Sequence, residues 1–229
     1  IVYTVETDRD FIVGTIRRAD TCQWFLYERN TTNNRDDSTL IARYVTYYDE
    51  GYTHSSFPRA CIGVAPGGNT VVINIGDHSV YSIYDAYTSG ALYVWERSTK
   101  RLKLASDIKG QIFSFDFSRA GTRLLFTQYW SNYGGHADYA YHWAEPYSTL
   151  YSIPGDSIEY RFAVSPAIDA PSCARFSPDN VYLATNDTLY NYSPVHTLDR
   201  LFLYRVRNFE WASTGTHLVV LEKPDTYSQ

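Results

Sequence analysis

With 229 residues, 44 % of them hydrophobic and 20 % charged, the chain is long enough to bury a full core and too apolar to be disordered. A formal net charge of -5 excludes a nucleic-acid partner held by a general positive field. No apolar run approaches the roughly 20 residues needed to span a bilayer, which excludes membrane insertion through a helix.

Ile1-Val2-Tyr3-Thr4-Val5-Glu6 alternates like a strand, without the basic start and apolar length of a signal peptide. The sequence begins at Ile1 and contains no Met, so it is expected to be a processed product, a fragment, or the ordered part of a longer chain. Phe11 to Ile16 and Trp24 to Tyr27 read as two strands, followed by a polar loop over Asn30 to Asp37 and a further strand from Leu40 to Tyr48. Next come Ala60–Val64, Thr70–Ile75, Ala91–Glu96 and Arg101–Ser106, with Ser98-Thr99-Lys100 turning between the last two. Ile112–Phe117, Arg123–Gln128, Thr149–Ile153 and Glu159–Val164 repeat that pattern, with Pro154-Gly155-Asp156 as the corresponding turn. Ser172–Phe176, Val181–Thr185 and Leu201–Val206 form a third such group, which lacks a fourth strand, and Phe209–Glu222 supplies two more strands. No window carries a helical apolar period that survives its Gly, Pro and β-branched content.

One phrase recurs along this series. Phe176-Ser177-Pro178-Asp179-Asn180-Val181-Tyr182-Leu183-Ala184 is a strand end, a tight turn and a strand start. Copies begin at Val64, Phe117 and Trp211, with a degenerate one at Ile16, giving spacings of 48, 53, 59 and 35 residues. A strand-rich repeat of this length points to a propeller rather than a helical solenoid. The phrase resembles the "FSPDGxxLA" hallmark of the WD40-like and TolB-type propeller repeats, a group that includes the prolyl-peptidase propellers. The Gly-His and Trp-Asp pairs of true WD40 blades are absent. The resemblance implies an all-β fold of four-stranded antiparallel blades, four to five of them visible, in one domain. The blades are expected at about 10–58, 59–109, 110–169, 170–208 and 209–229. Residues 1–6 would complete the last blade if the ring closes at five; otherwise the chain is part of a larger propeller. The resemblance implies no function, because such propellers serve as scaffolds, binding modules and enzyme domains.

The links between second and third strands read as long loops rich in Tyr, His, Asn and Asp, gathered on one face. The residues expected to bind are Tyr129, Trp130, Tyr133, His136, Tyr139, Tyr141, His142 and Trp143, with Tyr81, Tyr84, Tyr87, Tyr190 and Tyr192 on neighbouring links. Aromatic loops on a rigid scaffold make good contacts at low entropic cost. The competing view is that these rings pack the loops down. The six His show no ligand spacing, so no metal and no cofactor is expected; the best pairs, His136 with Asp138 or with His142, are weak ones. Asp10, Asp116 and Glu210 fall on expected inner strands, where paired carboxylates could cleave a glycoside. The inner strands Ala60–Val64 and Ser172–Phe176 carry no acid, however, and Asp116 could instead hold a loop between blades. No nucleophile motif such as GxSxG is present.

Cys22, Cys61 and Cys173 all lie in strand-like contexts and read as buried free thiols, which favours a reducing compartment. Asn30-Thr31-Thr32, Asn186-Asp187-Thr188 and Asn191-Tyr192-Ser193 are glycosylation sequons and point the other way, the third weakened by Pro194. The sequence therefore assigns no compartment. It favours a non-catalytic scaffold presenting an aromatic face to a protein partner in a larger assembly. Alternatives are a carbohydrate- or receptor-binding propeller and a propeller glycoside hydrolase.

Overall fold

The computed structural model describes residues 2–6, 9–18, 21–45, 59–80, 86–105, 108, 111–136, 139–163, 174–185, 188–192, 195–200, 206–215 and 217–222. It is all-β. The first sheet is a meander of β1 (Val2–Glu6), β2 (Arg9–Arg18), β3 (Thr21–Asn30) and β4 (Arg35–Val45). The second comprises β5 (Arg59–Val64), β6 (Thr70–Val80), β7 (Ala86–Glu96) and β8 (Arg101–Leu104). The third comprises β9 (Gln111–Phe117), β10 (Arg123–His136), β11 (Tyr139–Ser152) and β12 (Ser157–Ala163), and the pairing of β10 with β7 joins it to the second as one eight-stranded sheet. The fourth comprises β13 (Arg175–Phe176), β14 (Tyr182–Ala184), β15 (Thr188–Tyr192) and β16 (Val195–Arg200), and β17 (Val206–Trp211) pairs with β18 (Leu218–Glu222). Among the described residues no helix is long and apolar enough to cross a membrane.

The chain divides into two compact units, residues 1–111 with 131–143, and residues 112–130 with 144–229. In the first, Phe11, Val13, Trp24, Leu26 and Ile41 of the first sheet pack against Val71, Ile73, Ile75 and Trp95 of the second. Alternate residues of β6 supply this core, and Val72 and Asn74 between them are buried as well, so β6 is covered on both faces. In the second unit Leu125, Leu150 and Phe162 pack against Ala174, Phe176, Leu183 and Tyr190. Ala184 and Leu189 pack in turn against Phe209, Trp211 and Leu218.

The recurring phrase builds one turn four times. The N–H groups of Gly68, Gly121, Asn180 and Gly215 donate to the carbonyls of Ala65, Ser118, Ser177 and Ala212, at 2.7–2.9 Å. Those four residues hold φ of 58–73°, the left-handed region that Gly and Asn tolerate best. The carbonyl of the following residue then accepts from the end of the third strand: Asn69 from Arg97, Thr122 from Ile153, and Val181 from Tyr192. The turns between third and fourth strands repeat the device, with Asn34, Lys100 and Asp156 at φ of 47–55°. Asn180 is the one non-Gly residue of the first series, and its Oδ1 also accepts the Arg119 N–H at 3.2 Å. Asn180→Ala is expected to lower stability by about 1–2 kcal/mol in urea denaturation, combining left-handed strain with loss of that bond. A change below the error of the titration would show that the turn does not need an αL-tolerant residue.

Three expectations are corrected. Residues 1–6 pair with β2, in register Val2↔Val13 to Glu6↔Arg9, and so belong to the first sheet rather than to the last. The degenerate copy from Ile16 to Trp24 is accordingly not the recurring turn: β2 and β3 run through it, pairing Ile16↔Gln23 and Arg18↔Thr21. A template that asks only for small residues between apolar ones cannot separate a four-residue turn from a two-residue hairpin with polar strand ends. The fourth sheet has four strands, its third and fourth being Thr188–Tyr192, within a stretch read as a link, and Val195–Arg200, ahead of the expected third strand Leu201–Val206, of which residues 201–205 lie outside the described residues.

Candidate functional site

Each copy of the phrase is preceded by the last residues of an inner strand, and in the second unit the penultimate position is charged three times: Asp116, Arg175 and Glu210. Asp116 Oδ2 accepts the Phe176 N–H at 2.6 Å and its Oδ1 accepts the Phe117 N–H at 3.0 Å. The carboxylate thus fastens β9 to β13. Burial pushes its pKa up to about 6, opposed by the two N–H donors and by the Arg175 charge. Arg175, mostly buried, donates through Nε to Glu210 Oε1 at 3.3 Å and through Nη1 to the Ala174 carbonyl at 3.2 Å. Glu210 is exposed. A carboxylate pair that cleaves a glycoside needs one free base and one free acid facing the substrate. Here both oxygens of Asp116 are occupied by backbone N–H groups and Glu210 is paired with Arg175. Asp10 stands on β2, opposite Val5 and Arg29, and not on an inner strand. Asp116 therefore holds a strand, the structural role also foreseen for it. Arg175 was missed, although aligning the phrases places it between two acids at one position.

A second ionic group lies in the first unit. Glu28, 5 % exposed on β3, accepts Arg97 Nε and Lys100 Nζ, both at 2.9 Å, and Lys100 reaches Asp37 Oδ2 at 3.2 Å. The Lys100 hydrogen bond holds the Asp37 carboxyl below its usual range. These contacts tie the β7–β8 turn to β3 and β4, at the end of both sheets opposite the β6–β7 link.

The aromatic stretch 129–143 is not a loop. β10 continues through Tyr129, Trp130, Tyr133 and His136, and β11 opens with Tyr139, Tyr141, His142 and Trp143, so the two form a long hairpin. Tyr and Trp favour extended backbone, and that preference overrides the break suggested by Gly134-Gly135. In the first unit, β10 pairs with β7 through Asn132↔Tyr87 and Tyr133↔Ala86. The backbones of Tyr87 and Tyr133, expected on separate links, thus lie on adjoining strands. Tyr81, Tyr84 and Asp138 lie outside the described residues.

Tyr190 and Tyr192 do not belong to this surface. Tyr190 is 8 % exposed with its ring 4.5 Å from Phe162, and Tyr192 lies edge-on to Phe176 at 5.2 Å beneath the Arg123 guanidinium. Both sit on β15 and pack into the contact between the third and fourth sheets, and Thr188 on the same strand is buried as well. Cys61 is a half-buried thiol on β5, and burial raises its pKa to about 11.

No family model and no curated protein matches the sequence. Solved structures do. The acylaminoacyl peptidase of Pyrococcus horikoshii matches with a TM-score of 0.57 at 11 % identity, over 99 % of this chain and 36 % of that one. An acylaminoacyl peptidase in complex with Z-Gly-Gly-Phe-chloromethyl ketone matches with a TM-score of 0.54 at 9 % identity, over 90 % and 33 %. The β-propeller domain of the Trilobed protease from Pyrococcus furiosus, which has an open velcro topology, matches with a TM-score of 0.53 at 11 % identity, over 99 % and 63 %. The chain spans about a third of the two peptidases and under two thirds of the propeller domain. At these identities the likeness shows the fold alone, a β-propeller of four-stranded antiparallel sheets.

Proposed function

We propose that this chain is a non-catalytic propeller module whose binding surface is formed by the far ends of the β6–β7 and β10–β11 hairpins, and that it takes a protein partner within a larger assembly. The observation that carries the proposal is the pairing of Asn132 with Tyr87. It joins two aromatic-rich hairpins into one continuous strand platform, and a paired platform offers a partner preordered backbone at reduced entropic cost. Tyr139, Tyr141 and Trp143 at alternate positions of β11 are the residues best suited to anchor a contact. The occupied oxygens of Asp116 weigh against the glycosidase alternative. The same aromatic residues would also suit the faces of sugars, and the test includes that arm.

The test is affinity capture from the source with the unaltered chain and with Tyr141→Ala/Trp143→Ala, a glycan array being run in parallel. The double variant is expected to lose at least tenfold in partner binding while keeping its melting temperature. Capture that survives both substitutions would overturn the platform. Binding confined to the array would move the function to carbohydrate recognition.

A further inference from the structure

We infer that Asn30, which leads into an exposed turn, is an asparagine-linked glycosylation site. Asn30 ends β3, and Thr31 to Ser38 beyond it are all exposed. The turn is well held. Asn30 Oδ1 accepts the Thr32 N–H at 2.9 Å and the Asn33 N–H at 3.3 Å, Asn33 Oδ1 accepts the Arg35 N–H at 3.1 Å, and Arg29 pairs with Asp36 across the strand ends. Among the described residues the Asn30 carboxamide is engaged only through Oδ1, so Nδ2 is available.

The other two sequons are less favourable. Asn30 and Asn191 are both half-buried and both paired on two sides, Asn30 with Arg9 and Arg35 and Asn191 with Tyr182 and His196, but Pro194 follows the Asn191 sequon whereas Asn30 leads into the exposed stretch Thr31 to Ser38. In the remaining sequon the essential hydroxyl belongs to Thr188, 7 % exposed at the start of β15.

The co-substrate is a polyprenyl-diphosphate-linked oligosaccharide. Nδ2 of Asn30 attacks the anomeric carbon, the N–C bond forms, the C–O bond to the diphosphate breaks, Nδ2 gives up one proton, and the polyprenyl diphosphate leaves. Nothing is oxidised or reduced. The resulting glycan stands at the end of the first unit that holds the Lys100–Glu28 contacts.

The chain would be expressed behind a secretion signal in a glycosylating eukaryotic host, and both secreted and retained product mapped. Peptide N-glycosidase in 18O-labelled water converts each glycosylated Asn to labelled Asp. The expected result is one glycan, at Asn30, lost in both Asn30→Gln and Thr32→Ala and kept in Asn191→Gln. Label at Asn191 or Asn186 in folded product, or none at Asn30 in product that has entered the secretory route, would overturn the assignment. Two separate substitutions in the sequon guard against one of them failing to fold.

Discussion

Trp95→Ala is expected to be the most damaging single substitution in the first unit, lowering unfolding free energy by about 3–5 kcal/mol. Trp95 is 1 % exposed, meets Phe11 edge to face at 6.3 Å, and lies beneath the Lys100 ammonium at 5.0 Å from the ring centre. The substitution opens a cavity between the first two sheets and removes the surface on which Lys100 rests while it holds Glu28. Calorimetry should show the melting temperature falling by roughly 10 °C or more, at about 2–4 °C per kcal/mol for a chain of this size. Trp95→Phe separates packing from the indole. Nε1 is buried with no hydrogen-bond partner among the described residues, so losing it costs little and relieves an unmet donor. The Phe variant is expected to lose only about 1 kcal/mol. Equal losses in the two variants would show that packing volume is not what Trp95 supplies.

The second large effect is at Asp116. Asp116→Ala leaves the Phe176 and Phe117 N–H groups without their acceptor and is expected to cost about 2–4 kcal/mol. Its pH dependence follows from the carboxyl lying at about 6 in the folded chain, against about 3.9 when unfolded. Between those values the folded state binds the proton more tightly than the unfolded state does. The contribution of Asp116 is therefore greatest below about pH 4 and declines as pH rises through 6, by at most about 1.4 kcal/mol per unit. Asp116→Asn cannot titrate, so its stability measured beside the parent's from pH 4 to 7 isolates the effect. The parent's margin over the Asn variant should shrink as pH rises. A margin that grows instead would mean that the two N–H donors outweigh burial.

The features legible in sequence were those whose conformation is settled within a few residues. Pro178-Asp179-Asn180 and Ala120-Gly121 specify a turn by their own backbone preferences, and the structure repeats that turn wherever the phrase is intact. Strand identity over Val71–Ile75 and Leu124–Phe126 was equally plain from apolar runs interrupted only by Asn74. Phase was not. That Val2–Glu6 starts the first sheet depends on pairing with β2, and a strand's partner is not written in the strand itself. β15 was hidden because Thr188, Tyr190 and Asn191 read as polar, although the buried places of Thr188 and Tyr190 follow the twofold alternation. At the platform, composition identified the aromatic residues of 129–143 as a group. The pairing of Asn132 with Tyr87, which gives the group a shape, is a contact between distant strands that local propensity does not encode.

The ties between neighbouring sheets also bear on how the molecule comes apart. Glu28 with Lys100, Asp116 with Phe176, and Asn180 with Arg119 each join a sheet to the next in sequence. Within each unit, then, cohesion passes from neighbour to neighbour, as in a linear array whose free energy is a sum of members and adjacent couplings. Loss of one tie frays the row locally instead of collapsing it at once. Partial unfolding in the second unit should begin at β17–β18, which among the described residues has two strands where the fourth sheet has four.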